Sequence, residues 1–169
     1  MAVVATARAG MRAAGRATVL QLRNRAMTAA MLHREALELV ESSPVPVIVS
    51  SRCDIAIAAG AAGVNLPEPD IAVHDARALM GGDRLVGRSV HSLEAALAAE
   101  RDGADYVIFG PVWPSATHPR AEATGIARLA EVARALRIAV VAIGGVTEER
   151  VAQVARAGAA GYAAIRLFQ

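Results

Sequence analysis

The chain has 169 residues, 54% of them hydrophobic and only 3% aromatic, and 18 basic against 16 acidic side chains give a net charge of +2. That length suits one domain, residues 1–169, with a real core, but is short beside the roughly 250 residues of a usual eight-fold barrel. Near-balanced charge and few aromatics speak against a nucleic-acid surface, no apolar run has membrane-span character, and the one cysteine, Cys53, excludes a disulfide framework or a cysteine-based zinc site.

In chain order, Ala2–Ala14 reads as an alanine-rich helix closed by Gly15, and Thr18–Leu22 as a short strand. Thr28–Glu41 is helical, and Pro44 and Pro46 lead into the strand Val47–Ser50. Cys53–Ala59 is a short helix, Gly63–Leu66 a strand, His74–Met80 a further helical turn or two and Leu85–Gly87 a brief strand. Ser92 can cap a helix running to Arg101, because Glu94 and its neighbours follow in helical register. Asp105–Phe109 is a strand with its aspartate on the stability face, and Gly110–Thr124 is a long loop of the kind that is usually functional. Ile126–Leu136 and Glu148–Ala157 are helices, and Val140–Ile143 and Gly161–Ile165 are strands. Seven strands alternating with helices require a parallel sheet with right-handed crossovers. Polar residues follow every strand instead of gathering at one switch point, which favours a (β/α) TIM barrel over a doubly wound sheet. The expected barrel lacks its first strand and last helix: either the chain is a fragment, or a partner subunit in a homo-oligomer or distorted packing closes the gap. No membrane or nucleic-acid partner is expected, and the expected location is cytoplasmic.

In a barrel, the residues just past the strand ends face one pocket. Here they are Gln21, Arg23 and Arg25; Ser50, Ser51 and Arg52; Asn65, Glu68 and Asp70; Ser89 and His91; Ser115, Thr117, His118 and Arg120; Gly144 and Gly145; and Arg166. Arginines supply planar donors suited to phosphoryl oxygens, and Asp70 could hold magnesium beside a pyrophosphate. The firmest local signal is Val140–Gly145, an apolar run ending in two glycines before a polar helix start. The glycines let backbone approach a ligand, and the following helix aims free N–H groups at an anion. His33 and His74 fall on helices away from this face, and no nucleophile is placed for a triad.

Taken in order, these segments resemble the thiamine phosphate synthase family and its thiazole tautomerase relatives. Gln21-Leu22-Arg23-Asn24-Arg25 resembles the family's Gln-x-Arg-x-Lys, and Val64-Asn65-Leu66-Pro67-Glu68-Pro69-Asp70 resembles Val-His-Leu-Gly-Gln-x-Asp. Val86–His91 resembles the segment whose serine meets the pyrimidine, and Asp105–Trp113 is the closest match of all. Ser115-Ala116-Thr117-His118 stands where the family carries Thr-x-Thr-Lys, and Ser50-Ser51-Arg52 where it carries Asn-Asp-Arg.

The resemblance implies a (β/α)8 barrel that joins an aminopyrimidine pyrophosphate to a thiazole phosphate with Mg2+. It places Arg23, Arg25, Ser89 and His118 in the catalytic set. Gln21, Ser50, Arg52, Thr117, Gly144, Gly145 and Arg166 then hold substrate groups, and Asp70 and Ser51 stand at the metal positions. A thiazole phosphate tautomerase and an inactive phosphate-binding paralogue are the alternatives.

Overall fold

The computed structural model describes residues 1–114 and 122–169. Eight strands run in sequence: β1 (Ala2–Val4), β2 (Leu20–Leu22), β3 (Val47–Ser50), β4 (Gly63–Leu66), β5 (Leu85–Val90), β6 (Tyr106–Phe109), β7 (Ala139–Ile143) and β8 (Gly161–Ala163). The helices are α1 (Ala7–Ala14), α2 (Ala29–Ser42), α3 (Cys53–Ala58), α4 (Val73–Met80), α5 (Leu93–Arg101), α6 (Gly125–Ala135) and α7 (Glu148–Arg156). Every neighbouring pair of strands is parallel, in the order β1 through β8. The sheet curls until Ala2 meets Ala164 in a single parallel bridge, with Val3 N–H donating to the Ala164 carbonyl at 2.9 Å. This is a TIM barrel joined along a short seam.

One expectation is corrected. The opening segment is not a helix from Ala2, and the first strand is present: β1 pairs with β2 through Ala2–Leu20, Val3–Gln21 and Val4–Leu22. Pairing on both edges, to β2 and to Ala164, overrides the helix propensity of the alanines. The helix begins only after Thr6, whose extended backbone and hydroxyl cap it by accepting from Ala9 N–H. Glu35 of α2 reinforces that start by accepting from Ala7 N–H at 2.5 Å. Ser92 caps α5 as expected, accepting from Ala95 N–H at 3.1 Å. After β8 the chain makes a 3-10 turn, Arg166–Phe168, whose phenylalanine stacks on Tyr162.

Side chains alternate across the sheet. One parity, including Leu20, Leu22, Val49, Val64, Leu66, Val107, Phe109 and Ala142, packs under the helices in the main apolar core. The other parity, including Val3, Gln21, Ile48, Asn65, Tyr106, Ile108 and Ala163, is also buried but stands apart from that core, inside the barrel. Because the period is two, this inner row fixes which residues reach the mouth.

At the opposite end, Asp105 accepts from Val86 N–H at 2.7 Å and pairs with Arg77. Arg77 also donates to the carbonyls of Gly81, Arg84 and Gly103. That staple ties helix α4 to the entrances of β5 and β6, the stability face on which the sequence puts Asp105.

Candidate active site

A cavity of about 230 Å3 opens at the C-terminal ends of the strands. Its deep wall is apolar, from Val3, Ile108, Ile143 and Ile165. Set into it are polar side chains of the inner row: Gln21 of β2, Ser50 of β3, Asn65 of β4 and Ser89 of β5. Gln21 is 3% exposed and Asn65 1%. Asn65 Nδ2 donates to Ser89 Oγ at 3.0 Å. The Gln21 Oε1 and Asn65 Oδ1 acceptors have no partner among the described residues. Buried carbonyl oxygens without donors are costly, so such a pair calls for a ligand carrying N–H groups.

Above this ring, the segment after β2 brings Arg23 and Arg25 to the rim. Partial burial first, and the charge of Arg25 second, lower the pKa of Arg23 from its ordinary value. Two like charges held together in this way favour an anion between them. On the far side, the Glu68 carboxylate and His91 Nδ1 meet in a side-chain hydrogen bond, and both line the cavity. The loop carrying Glu68 is pinned by Arg88, which donates to the carbonyls of Glu68 and Ile71 at 2.7 Å each.

Gly144 completes the wall where β7 ends. Gly144 and Gly145 have φ of 93° and 65°, the left-handed region that favours glycine. A Cβ on Gly144 would fall 2.5 Å from Pro111 Cβ. Among the described residues, the N–H groups of Gly144, Gly145, Val146 and Thr147 donate to no backbone carbonyl. They precede the N-terminus of α7, so successive donors and the positive end of a helix dipole meet at one turn.

Comparison with known proteins agrees with this arrangement. The family model described as thiamine monophosphate synthase matches residues 3–168. A thiamine-phosphate synthase of Anaeromyxobacter dehalogenans is 43% identical over 162 residues, covering 93% of this chain and 71% of that protein. One of Chloroflexus aurantiacus is 42% identical over 155 residues, with 89% and 71% covered. The chain belongs to the thiamine monophosphate synthase family. A solved structure of thiamine phosphate pyrophosphorylase from Pyrococcus furiosus superposes with a TM-score of 0.87 at 29% identity, covering 97% of this chain and 84% of that one. An N-(5'-phosphoribosyl)anthranilate isomerase from the same organism, at 14% identity and a TM-score of 0.71 with 99% and 88% covered, shares the fold alone.

Of the site residues drawn from the sequence in this family's pattern, Gln21, Arg23, Arg25, Ser50, Ser89 and Gly144 meet on the one cavity. Ser51, Arg52, Asp70, Gly145 and Arg166 lie outside its wall. Arg52 turns into a two-bond pair with Asp54, at 2.8 and 2.5 Å, and that partner raises its pKa further. Arg166 is exposed on the 3-10 turn. Ser115, Thr117, His118 and Arg120 lie outside the described residues.

Ser51 takes a φ of 68°, rare for a residue with a side chain, and its N–H donates to the Asn65 carbonyl at 2.9 Å. Asp70 Oδ1 accepts from Ile71 N–H at 2.9 Å. The charge of Asp70 reaches Cys53, whose thiol pKa is pushed up by burial first and Asp70 second. Among the described residues no group of three His, Cys, Asp or Glu side chains converges as a metal cage. A lone carboxylate such as Asp70 would hold magnesium only as an ion that keeps most of its water and completes its shell with substrate phosphates.

The sequence reading places Asn65 at the site but not its unsatisfied oxygen, and it passes over Trp113 and Arg150. Arg150 Nη1 donates to the Gly145 carbonyl at 2.6 Å, and its guanidinium lies 5.0 Å from the Trp113 ring centroid. The available signal is an arginine in the first turn of a helix, where the dipole disfavours a cation. No described helix is long and apolar enough to cross a membrane.

Proposed function

We propose that this protein is a thiamine-phosphate synthase, joining an aminopyrimidine pyrophosphate to a thiazole phosphate with release of pyrophosphate. The observation that carries this reading is the meeting of three features on one cavity. They are the partnerless acceptors Gln21 Oε1 and Asn65 Oδ1, the rim pair Arg23 and Arg25, and the glycine turn at Gly144. A heterocycle with an exocyclic amine, a leaving pyrophosphate and a second phosphorylated ring need these three things in this proximity.

In this reading Gln21, Asn65 and Ser89 orient the aminopyrimidine, with Ser50 beside them. The bond between its methylene carbon and the pyrophosphate oxygen breaks first, and the ring stabilises the resulting cation. The thiazole nitrogen then attacks that carbon. No protein nucleophile is required, so the chain contributes orientation and charge stabilisation. Arg23 and Arg25 take the charge that develops on the departing pyrophosphate. The N–H groups of Gly144 and Gly145 and the N-terminus of α7 hold the thiazole phosphate, with Thr117 and Arg166 assigned to the same group. Asp70, with Ser51, would hold magnesium, which supplies further charge neutralisation to the leaving group. Arg52 and His118 are assigned to the pyrophosphate, and a cytoplasmic location belongs to this reading.

Purified protein is expected to release pyrophosphate only when both substrates and magnesium are present, measured by a coupled phosphate assay. Absence of release with both substrates, or release from either substrate alone, rejects the assignment.

A further inference from the structure

Arg150 makes two contacts that the joining reaction does not explain. It sits in the first turn of α7, where a cation opposes the helix dipole, yet its side chain is part-buried and folded back over the turn it follows. Among the described residues no carboxylate pairs with it. Its partners are the Gly145 carbonyl and the face of Trp113.

Those partners belong to one packed unit. Val112 N–H donates to the Ile143 carbonyl at 2.8 Å and Trp113 N–H to the Gly144 carbonyl at 3.1 Å, so the segment after β6 lies against β7 and its turn. A Cβ on Gly145 would fall 2.7 Å from Trp113 Cβ and 2.8 Å from the Pro114 carbonyl oxygen. Both carbonyls of the glycine pair are therefore engaged, one by Trp113 N–H and the other by the Arg150 guanidinium. A peptide unit is planar, so fixing each carbonyl fixes the direction of the N–H on the following residue. The carbonyl of Gly144 sets the N–H of Gly145, and the carbonyl of Gly145 sets the N–H of Val146.

We infer that Arg150 is a positioning residue for phosphate binding. Its guanidinium locks the Gly145–Val146 peptide and seats Trp113 on the glycine turn, so that the N–H groups stay aimed at the anion. It acts through the turn and does not touch the phosphoryl group. Arginine suits this task better than lysine, because a planar fork can donate along its edge while its face stacks on an indole. The inference rests on the glycine turn being the thiazole phosphate site.

Trp113 is the sole tryptophan of the chain, which supplies a direct optical reporter of this unit. Wild type, Arg150→Lys and Arg150→Ala are compared by steady-state kinetics, thermal melting, and Trp113 emission during titration with inorganic phosphate and with thiazole phosphate. The expected result for Arg150→Ala is a KM for thiazole phosphate raised about tenfold. Its KM for the pyrimidine pyrophosphate and its kcat at saturation are expected to hold within about twofold, and the phosphate-induced emission change to be lost. These magnitudes follow from losing one charge-assisted contact. Arg150→Lys should retain part of the charge and show an intermediate KM.

Three outcomes overturn the inference. Arg150→Ala could leave the thiazole phosphate KM and the emission response unchanged. Both KM values and kcat could worsen together with a lowered melting temperature, which would mark a merely structural role. If Arg150→Ala does not fold, an Arg150→Lys protein with wild-type KM and emission response has the same force. Failure of the underlying site reading is distinguishable, because wild type itself would then show neither turnover nor a Trp113 response to thiazole phosphate.

Discussion

Asn65 shows how single residues divide between stability and chemistry. It is fully buried, spends its amide N–H on Ser89, and leaves Oδ1 without a donor among the described residues. An orphaned buried acceptor costs folding free energy, and removing it offsets the loss of the amide hydrogen bond to Ser89. Asn65→Leu is therefore expected to melt at or above the wild-type temperature. Its kcat/KM for the pyrimidine substrate should fall roughly 10–100-fold, from loss of one or two well-placed hydrogen bonds of about 1.5–3 kcal/mol. A melting temperature several degrees below wild type would show that the side chain is needed for packing. Gln21 and Ser89 are legible in sequence because they occupy strand ends in a repeating pattern. The unsatisfied oxygen is not, because satisfaction depends on what four neighbouring strands bring to the barrel axis.

At the scale of elements, the alternation of apolar runs and helical periods is enough to read seven strands and most helices. Strands such as Val47–Ser50 and Gly63–Leu66 need no correction, since each is a short apolar run bounded by strong turn signals. The opening is misread for a physical reason. Three residues carry too little periodicity to announce a strand, and the hydrogen bonds that hold Ala2–Val4 come from partners eighteen residues on and from the far end of the chain. Thr6, a helix cap in plain view, is the local signal that the helix starts late. The Asp105 staple carries this scale's testable consequence. Asp105→Ala removes the acceptor for Val86 N–H and leaves Arg77 without its carboxylate partner, at the end of the barrel away from the cavity. The ion pair is partly exposed, so the expected loss is discounted to about 1–2 kcal/mol in urea unfolding. Turnover at saturating substrate should stay within about twofold of wild type. A large drop in kcat with normal stability would contradict the separation of the two ends.

For the whole molecule, that separation has a pH signature. Tyr106 fills the barrel interior on the side away from the cavity: a Cβ on Gly87 would lie 2.1 Å from its ring, so the missing side chain at Gly87 is the space the ring occupies. Its hydroxyl has no partner among the described residues, and burial raises its pKa above the ordinary tyrosine value, with Asp105 adding to the effect. Burial likewise raises the Cys53 thiol. An acid whose folded pKa is raised binds its proton more tightly in the native state. Its contribution is fully present below the unfolded pKa and is lost as pH rises from there through the folded pKa. The chain contains no lysine, so the buried acids Cys53 and Tyr106, both raised by burial, carry the alkaline response. Stability measured by urea unfolding should thus hold from neutrality to about pH 8.5, then fall, first through Cys53 and more steeply above about pH 10 through Tyr106. Tyr106→Phe should be as stable as wild type or about 1 kcal/mol more stable at pH 7, since it removes an orphaned hydroxyl. It should also lose the steeper part of the alkaline decline, while Cys53→Ala removes only the earlier part. If Tyr106→Phe and wild type decline in parallel above pH 10, the buried hydroxyl does not couple proton binding to folding, and the interior beside it is open to water.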